Sequence, residues 1–429
     1  MGRALACALA CVALAVPLAG TALAQPCPPD EIFGVRRLAL VGEEPRALAV
    51  ADLDNDGDLD VIVVNNGGDS ISIGLNDGEG RLGRPTEYPV PRPGTAAAGD
   101  FDGDGDMDVA VTLGTGGVQI MENQGDGFLV EAGQFIPGVG LFSLVSADFD
   151  GDGWPDLAGI DRLRPAGVNI FRNDRAGGFE EGDRYIIPDG FRLVAEDLDR
   201  DGTVDVAVAL GFSGVQAFLN FGNGRMVPMP RIEPTDLDVA GFGIGDVTGD
   251  GAPEMLLGAF GLEFGVLTND GQGAFDRTPL LLTAGSTIRH LAAGDFNGDC
   301  LNDIVVAEPR DNTVGLLLQD AAGGFGPVVR TPVQVEPEAM IVADFNNDGA
   351  ADVLVANRQS NTVSLLINTC AAARPCRADL DCSGALELGD FLAFQNLFDA
   401  GDPKADFDGD GSLTIFDFLA FTDAFQDGC

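Results

Sequence analysis

The chain has 429 residues, enough for one large domain and a small one. It carries 68 acidic against 24 basic residues, a formal net charge of −44, which argues against nucleic acid or an anionic membrane surface as partner. A hydrophobic content of 45% is that of a packed protein and excludes a disordered acidic tail.

Residues 1–24 read as a secretory signal: Arg3, an apolar run broken by Pro17, then the small residues Ala22 and Ala24 before Gln25. The mature protein is expected to be secreted or displayed at the cell surface, with no transmembrane segment once the signal is removed. Cys7 and Cys11 leave with the signal, and six cysteines remain: Cys27, Cys300, Cys370, Cys376, Cys382 and Cys429. An even number in an exported chain predicts disulfides.

From Asp52 the pattern D-x-[DNT]-x-D-G-x-x-[DE] recurs at Asp100, Asp148, Asp197, Asp246, Asp295 and Asp344, spaced 48 or 49 residues apart. Each copy follows a short apolar stretch, such as "RALAVADLD", and precedes a strand-like run, such as "DVIVVN" or "DIVVAE". A second run follows, such as "SISIGLN" or "GVNIFRN", and then a glycine-rich turn. Each unit therefore predicts four short strands rich in β-branched residues. Seven such units predict a mainly β fold, a seven-bladed propeller over residues 25–369. The seventh unit ends at "SLLINTC" without an outer strand, while "EIFGVRRLAL" (Glu31–Leu40) is like the outer-strand sequence "GGFGPVVRTP" of the sixth. The N-terminal strand is predicted to complete blade seven, which satisfies an otherwise open sheet edge. Cys27 and Cys370 flank that joint and are predicted to pair.

The seven loops, together with turns such as "GGFGPV" and "DGEGRLG", resemble FG-GAP/VCBS repeats, the propeller type at the head of integrin α-chains. The resemblance runs from Cys27 to about Thr369. It implies a seven-bladed propeller, calcium in hairpin loops on one face, and an exported adhesion or recognition role.

Calcium takes 6–8 hard oxygens, and alternate carboxylates in a tight loop point to one side, with glycine at position 6 permitting the reversal. Positions 1, 3, 5 and 9 supply the candidate ligands. In the first four units these are Asp52, Asp54, Asp56 and Asp60; Asp100, Asp102, Asp104 and Asp108; Asp148, Asp150, Asp152 and Asp156; and Asp197, Asp199, Asp201 and Asp205. The fifth has Asp246, Thr248, Asp250 and Glu254, and the sixth Asp295, Asn297, Asp299 and Asp303, with Cys300 where glycine belongs. The seventh has Asp344, Asn346, Asp348 and Asp352. Fewer charges predict weaker sites, weakest in units five and six. Up to seven Ca²⁺ are expected here, in a structural role.

Residues 370–378 read as a linker. Beyond it lie two related units, "DLDCSGALELGDFLAFQNLF" and "DFDGDGSLTIFDFLAFTDAF". Candidate ligands are Asp379, Asp381, Ser383 and Asp390 in the first, and Asp406, Asp408, Asp410 and Asp417 in the second. The acid at position 12, lacking in the propeller loops, belongs to an EF-hand arrangement. Phe391, Phe394 and Phe398, and equally Phe418, Phe421 and Phe425, recur at helical spacing, so two helices are predicted to pack face to face. This pair resembles a type I dockerin over about Asp379–Phe425, within a module of residues 379–429. The resemblance implies two more Ca²⁺ and a docking partner. Loop positions 10 and 11 depart from the cellulosomal pattern of hydroxyl or basic residues, being Leu388 and Gly389, then Ile415 and Phe416, so cohesin recognition does not carry over. Cys376 and Cys429 bracket the module and are predicted to pair. Cys300 and Cys382 are left, to bridge the two domains or stay free.

The one histidine, His290, falls at the start of an inner strand, as a packed or rim residue. With one histidine and oxidised cysteines, zinc clusters and Ser-His-Asp triads are excluded. Acids are numerous enough for carboxylate-pair glycoside cleavage. Trp154, the sole tryptophan, is expected to pack within its loop. The expected function is non-enzymatic: calcium-dependent recognition or adhesion, with an extracellular protein or glycan as ligand. The alternative is a polysaccharide-acting protein anchored by its C-terminal module.

Overall fold

The computed structural model describes residues 27–136, 140–162, 165–233, 237–261, 263–370, 378, 386, 388–400, 407 and 414–427. Those up to Cys370 belong to one compact unit, and those from Ala378 onward to a second.

The first unit is a seven-bladed propeller of seven four-stranded antiparallel sheets. Blade one runs Pro45–Ala51, Asp60–Asn65, Ser70–Gly74 and Thr86–Pro89, from the central axis outward. In every blade the second strand is buried along its whole length, for example Asp108–Leu113 and Asp303–Glu308. A strand buried on both faces reads as a continuous apolar run, and that is the "DVIVV" signature of the sequence. Inner strands are built from smaller residues, as in "TAAAG" and "LAAG", because seven of them converge on one axis. At Gly243 a Cβ would lie 1.9 Å from the carbonyl oxygen of Leu291 in the next blade, so only glycine fits there.

Seven apolar clusters, one between each pair of neighbouring blades, form the core. The cluster of Val61, Val63, Phe345, Leu354 and Val363 lies between blades seven and one and closes the ring. The closing blade takes its outer strand from the other end of the chain: Phe33–Leu40 pairs antiparallel with Thr362–Asn368, Val35 opposite Ile367 and Leu40 opposite Thr362. Cys27 and Cys370 are disulfide-bonded beside this seam, with Cα atoms 5.8 Å apart. Blade four departs from the regular unit. Its outer strand shrinks to Val227–Pro228, with an isolated bridge from Val215 to Ile232. Pro228 and Pro230 carry no N–H to extend the ladder.

The second unit holds two helices, Leu388–Ala400 and Ile415–Asp427. Phe391, Phe394 and Phe398 of the first and Phe418, Phe421 and Phe425 of the second form a cluster with Ala378 and Phe407. Phe394 stacks on Phe421 at 4.6 Å, and Phe391 meets Phe421 at 5.0 Å and Phe425 at 4.6 Å. The periodicity of the sequence therefore describes the packing face of each helix. No helix among the described residues is long and apolar enough to cross a membrane.

Candidate metal centres

All seven acidic loops join the inner strand of a blade to its second strand, so they lie on one face of the propeller. Each loop folds back on its own first carboxylate. Asp100 accepts hydrogen bonds from the N–H groups of Gly103 (2.7 Å) and Gly105 (3.1 Å). Asp148 does the same with Gly151 and Gly153, at 2.8 Å each. Position 5 then caps the next turn, Asp104 accepting from the Asp106 N–H at 2.9 Å. Position 6 has positive φ in every unit, from 84° to 95° at the glycines and 62° at Cys300. Glycine adopts this conformation without strain, so Cys300 is the one position where the loop holds a Cβ there.

In units one to four the loops draw acidic oxygens together. Asp52, Asp54 and Asp56 offer oxygens that lie within 4.8 Å of one another, as do Asp100, Asp102 and Asp108, Asp148, Asp150 and Asp156, and Asp197, Asp199 and Asp205. The position 3 side chains aim inward. Asp54, Asp150 and Asp199 each hold a buried Oδ1 with no hydrogen-bond partner. A buried carboxylate oxygen without a donor is costly, and a cation among three such groups removes that cost. Burial first, and the neighbouring aspartates second, push the carboxyls of Asp54, Asp102 and Asp199 above the usual range. The donors are all hard oxygens, a set that suits a hard divalent ion.

Units five to seven show no such acidic triad among the described residues. Thr248 replaces the third carboxylate in unit five. In units six and seven an amide stands where a carboxylate would be, and it donates internally: Asn297 Nδ2 to Asp299 Oδ2 and Asn346 Nδ2 to Asp348 Oδ2, both at 3.0 Å. These loops satisfy a carboxylate with a built-in donor, whereas Asp54, Asp150 and Asp199 each keep an unpaired oxygen.

Position 9 has a second task that the spacing of the sequence does not announce. Asp108 is buried and accepts from two backbone N–H groups, Phe101 (3.1 Å) and Asn123 (2.8 Å). The same clamp occurs at Asp60, Asp156, Asp205, Glu254, Asp303 and Asp352. Burial pushes the pKa of Asp60, Asp108 and Asp156 up to about 6, and that of Asp205, Asp303 and Asp352 up to about 7, with the backbone donors pulling the other way.

The amide that closes each third strand then reaches back to the preceding blade. Asn123 Nδ2 donates to the Leu53 carbonyl at 2.7 Å, Asn173 to Phe101 at 2.8 Å and Asn220 to Phe149 at 2.7 Å. Asn269 reaches Leu198, Gln319 reaches Val247 and Asn368 reaches Phe296, while Asn76 crosses the seam to Phe345 at 2.8 Å. Seven acidic loops are thus hydrogen-bonded to seven neighbouring blades in a closed ring. The signal was present in the sequence as an Asn or Gln at the end of each third strand.

Trp154 lies over the adjacent loop, its ring filling the space that a Cβ on Gly103 would take. His290 opens the inner strand of blade six and is 8% exposed. Cys300 is disulfide-bonded. In the C-terminal unit Asp390 and Asp417 are buried at the first turns of the two helices. Asp417 accepts from the Thr414 N–H at 2.6 Å while Thr414 Oγ1 accepts from the Phe416 N–H at 3.1 Å, a reciprocal cap at the helix start. The other expected ligands there, Asp379, Asp381, Ser383, Asp406, Asp408 and Asp410, lie outside the described residues, as do Cys376, Cys382 and Cys429.

Among solved structures, the chain is similar to BBS1N in its complex with ARL6DN, with a TM-score of 0.55 at 11% identity over 80% of this chain and 98% of that one. The WD40 repeats of RRP9 give 0.53 at 13% identity, over 81% and 99%. A protein from Lactobacillus plantarum gives 0.50 at 16% identity, over 70% and 87%. At such identities the likeness shows the propeller fold alone. No curated protein matches the chain. The model of the FG-GAP-like repeat matches residues 52–111, 100–159, 148–208, 197–257 and 295–355, each match reaching from one acidic loop into the next. These matches cover more than half of the sequence, and the chain belongs to the FG-GAP-like repeat family.

Proposed function

We propose that the chain is an exported, calcium-dependent recognition protein, in which Ca²⁺ stiffens one face of a propeller whose surfaces bind an extracellular ligand. The observation that carries the calcium reading is the set of four aspartate triads with the orphaned buried oxygens of Asp54, Asp150 and Asp199. Several carboxylates in a flexible loop favour Ca²⁺ over Mg²⁺, which demands a smaller octahedron and keeps its waters. The family and the fold support a role in protein interaction, and BBS1N, a similar propeller, is itself in complex with ARL6DN. The C-terminal helix pair is proposed to be a dockerin-like calcium module that docks the propeller on a partner. Its buried position 12 acids, Asp390 and Asp417, stand where such a module needs them.

Calorimetric titration of metal-stripped protein with Ca²⁺, followed by thermal melting with and without chelator, tests this reading. Binding of several ions and a melting temperature that falls on chelation, well beyond a monovalent salt control, are expected. No heat of binding and an unchanged melt would overturn it.

A further inference from the structure

The axis of the propeller is hollow. A cavity of about 1120 Å³ is lined by residues of all seven inner strands. Its mouth opposite the acidic loops lies where the inner strands begin, since Leu141 pairs with Asp161 and Arg192 with Ala209 at that end of the blades. In a chain with 68 acids and only 24 basic residues, four arginines line this cavity: Arg46, Arg162, Arg192 and Arg289. Three of them sit by carboxylates: Arg46 by Glu44 (3.0 Å), Arg162 by Asp189 (3.4 Å) and Arg289 by Glu338 (3.9 Å). The first two pairs are exposed and therefore weak, and the third is stretched to 3.9 Å.

Arg192 differs, for it has no carboxylate partner among the described residues. Its Nη2 lies 2.6 Å from His290 Nε2. The other ring nitrogen, His290 Nδ1, accepts from the Met340 backbone N–H at 2.8 Å. A neutral imidazole has one lone pair and one N–H. With Nδ1 engaged by the fixed backbone donor, the proton belongs on Nε2 and faces the guanidinium. Two donors then converge with no acceptor between them. Arg192 is half-buried at the wall of the cavity, and this partial desolvation lowers its pKa to about 10, so the cation is unpaired where its ring neighbour cannot offset it. Such a site gains from an incoming anionic oxygen, which accepts from both groups and offsets the unpaired charge. Around the mouth stand Phe142, Phe212 and Phe260, 49%, 83% and 47% exposed. The guanidinium of Arg162 lies over the Phe142 ring at 4.4 Å.

We propose that the axial cavity is a binding site for an acidic peptide segment, one carboxylate seated on Arg192 and His290 and apolar side chains on Phe142, Phe212 and Phe260. Three large exposed phenylalanines around one unpaired cation match a ligand that combines apolar side chains with a carboxylate, as a peptide does and a glycan hydroxylated throughout does not. The inference rests on reading the propeller as a recognition module and names the class of its ligand.

The test is fluorescence anisotropy on the full calcium-loaded chain, with a short labelled peptide of alternating glutamate and phenylalanine as probe. Oligogalacturonate and the glutamine counterpart of the peptide serve as competitors. Saturable binding that the glutamine peptide does not displace is expected. Arg192→Gln weakens it about tenfold or more, the size of one lost charge-assisted hydrogen bond. Phe212→Ala, a change at an 83% exposed side chain that leaves folding intact, weakens it as well. Absence of binding, equal binding by both variants, or displacement by oligogalacturonate at lower concentration than by unlabelled peptide overturns the assignment. A chain that fails this probe yet still binds Ca²⁺ and captures another protein refutes the site alone and leaves the recognition reading standing.

Discussion

At the scale of single residues, the acidic loop divides its labour. Asp104, a proposed ligand, touches mainly its own turn, whereas Asp108 holds two buried N–H groups and the loop's exit strand. Removing the first should weaken calcium binding and leave the metal-free fold nearly unchanged. Removing the second strands two buried donors, at about 1–3 kcal/mol each. Denaturant unfolding in chelator is expected to show Asp108→Ala destabilised by roughly 2–5 kcal/mol and Asp104→Ala by less than about 1 kcal/mol. His290 gives a pH signature. Burial, then the neighbouring Arg192, hold its pKa well below the ordinary 6.5, so the folded state binds the proton less readily than the unfolded chain. Its contribution is therefore present above about pH 6.5 and lost as pH falls below it. Wild type should lose more stability than His290→Gln as the pH falls below about 6.5; parallel melting curves would contradict this. The acidic loops themselves were legible because a fixed spacing repeated seven times. The amide ring was not, since an asparagine ending a strand looks like any turn residue and its partner lies about 70 positions earlier, in another blade.

At the scale of elements, the sequence announced the fully buried second strands and the closing strand, because both follow from composition and from a missing piece. It did not announce the reduced outer strand of blade four, where Pro228 and Pro230 override the repeat. Nor did it show that unit seven, with its internal amide donor, behaves as unit six does. The closing strand is the one blade element that is not continuous in sequence with its sheet, and its exposed outer face contributes little burial. The disulfide at Cys27 and Cys370 therefore matters most here. Paired Cys27→Ser and Cys370→Ser changes are expected to cost about 2–5 kcal/mol. Hydrogen exchange should then open Phe33–Leu40 before the other outer strands. Uniform exchange across all outer strands would refute a seam-specific role.

At the scale of the whole molecule, seven apolar clusters and seven amide-to-carbonyl bonds make the propeller a closed cycle in which every loop is held by the next blade. A repeat array with free ends frays from them, whereas a cycle must break somewhere first. A change in one loop is thereby felt by its neighbour. The seam also governs how the protein bears mechanical load. The chain enters the propeller at Cys27 and leaves it at Cys370, and those two residues are covalently joined. Tension applied between an anchored N-terminal side and a docked C-terminal unit travels through the sulfur atoms and bypasses 342 intervening residues, because the bonded pair is 343 apart in sequence. Pulled by its ends in an oxidising medium, the protein should extend without the length gain of an unfolding propeller, and that gain should emerge only after reduction. The disulfide makes the propeller a passenger on the force path, and its surfaces keep their shape while the chain is under strain.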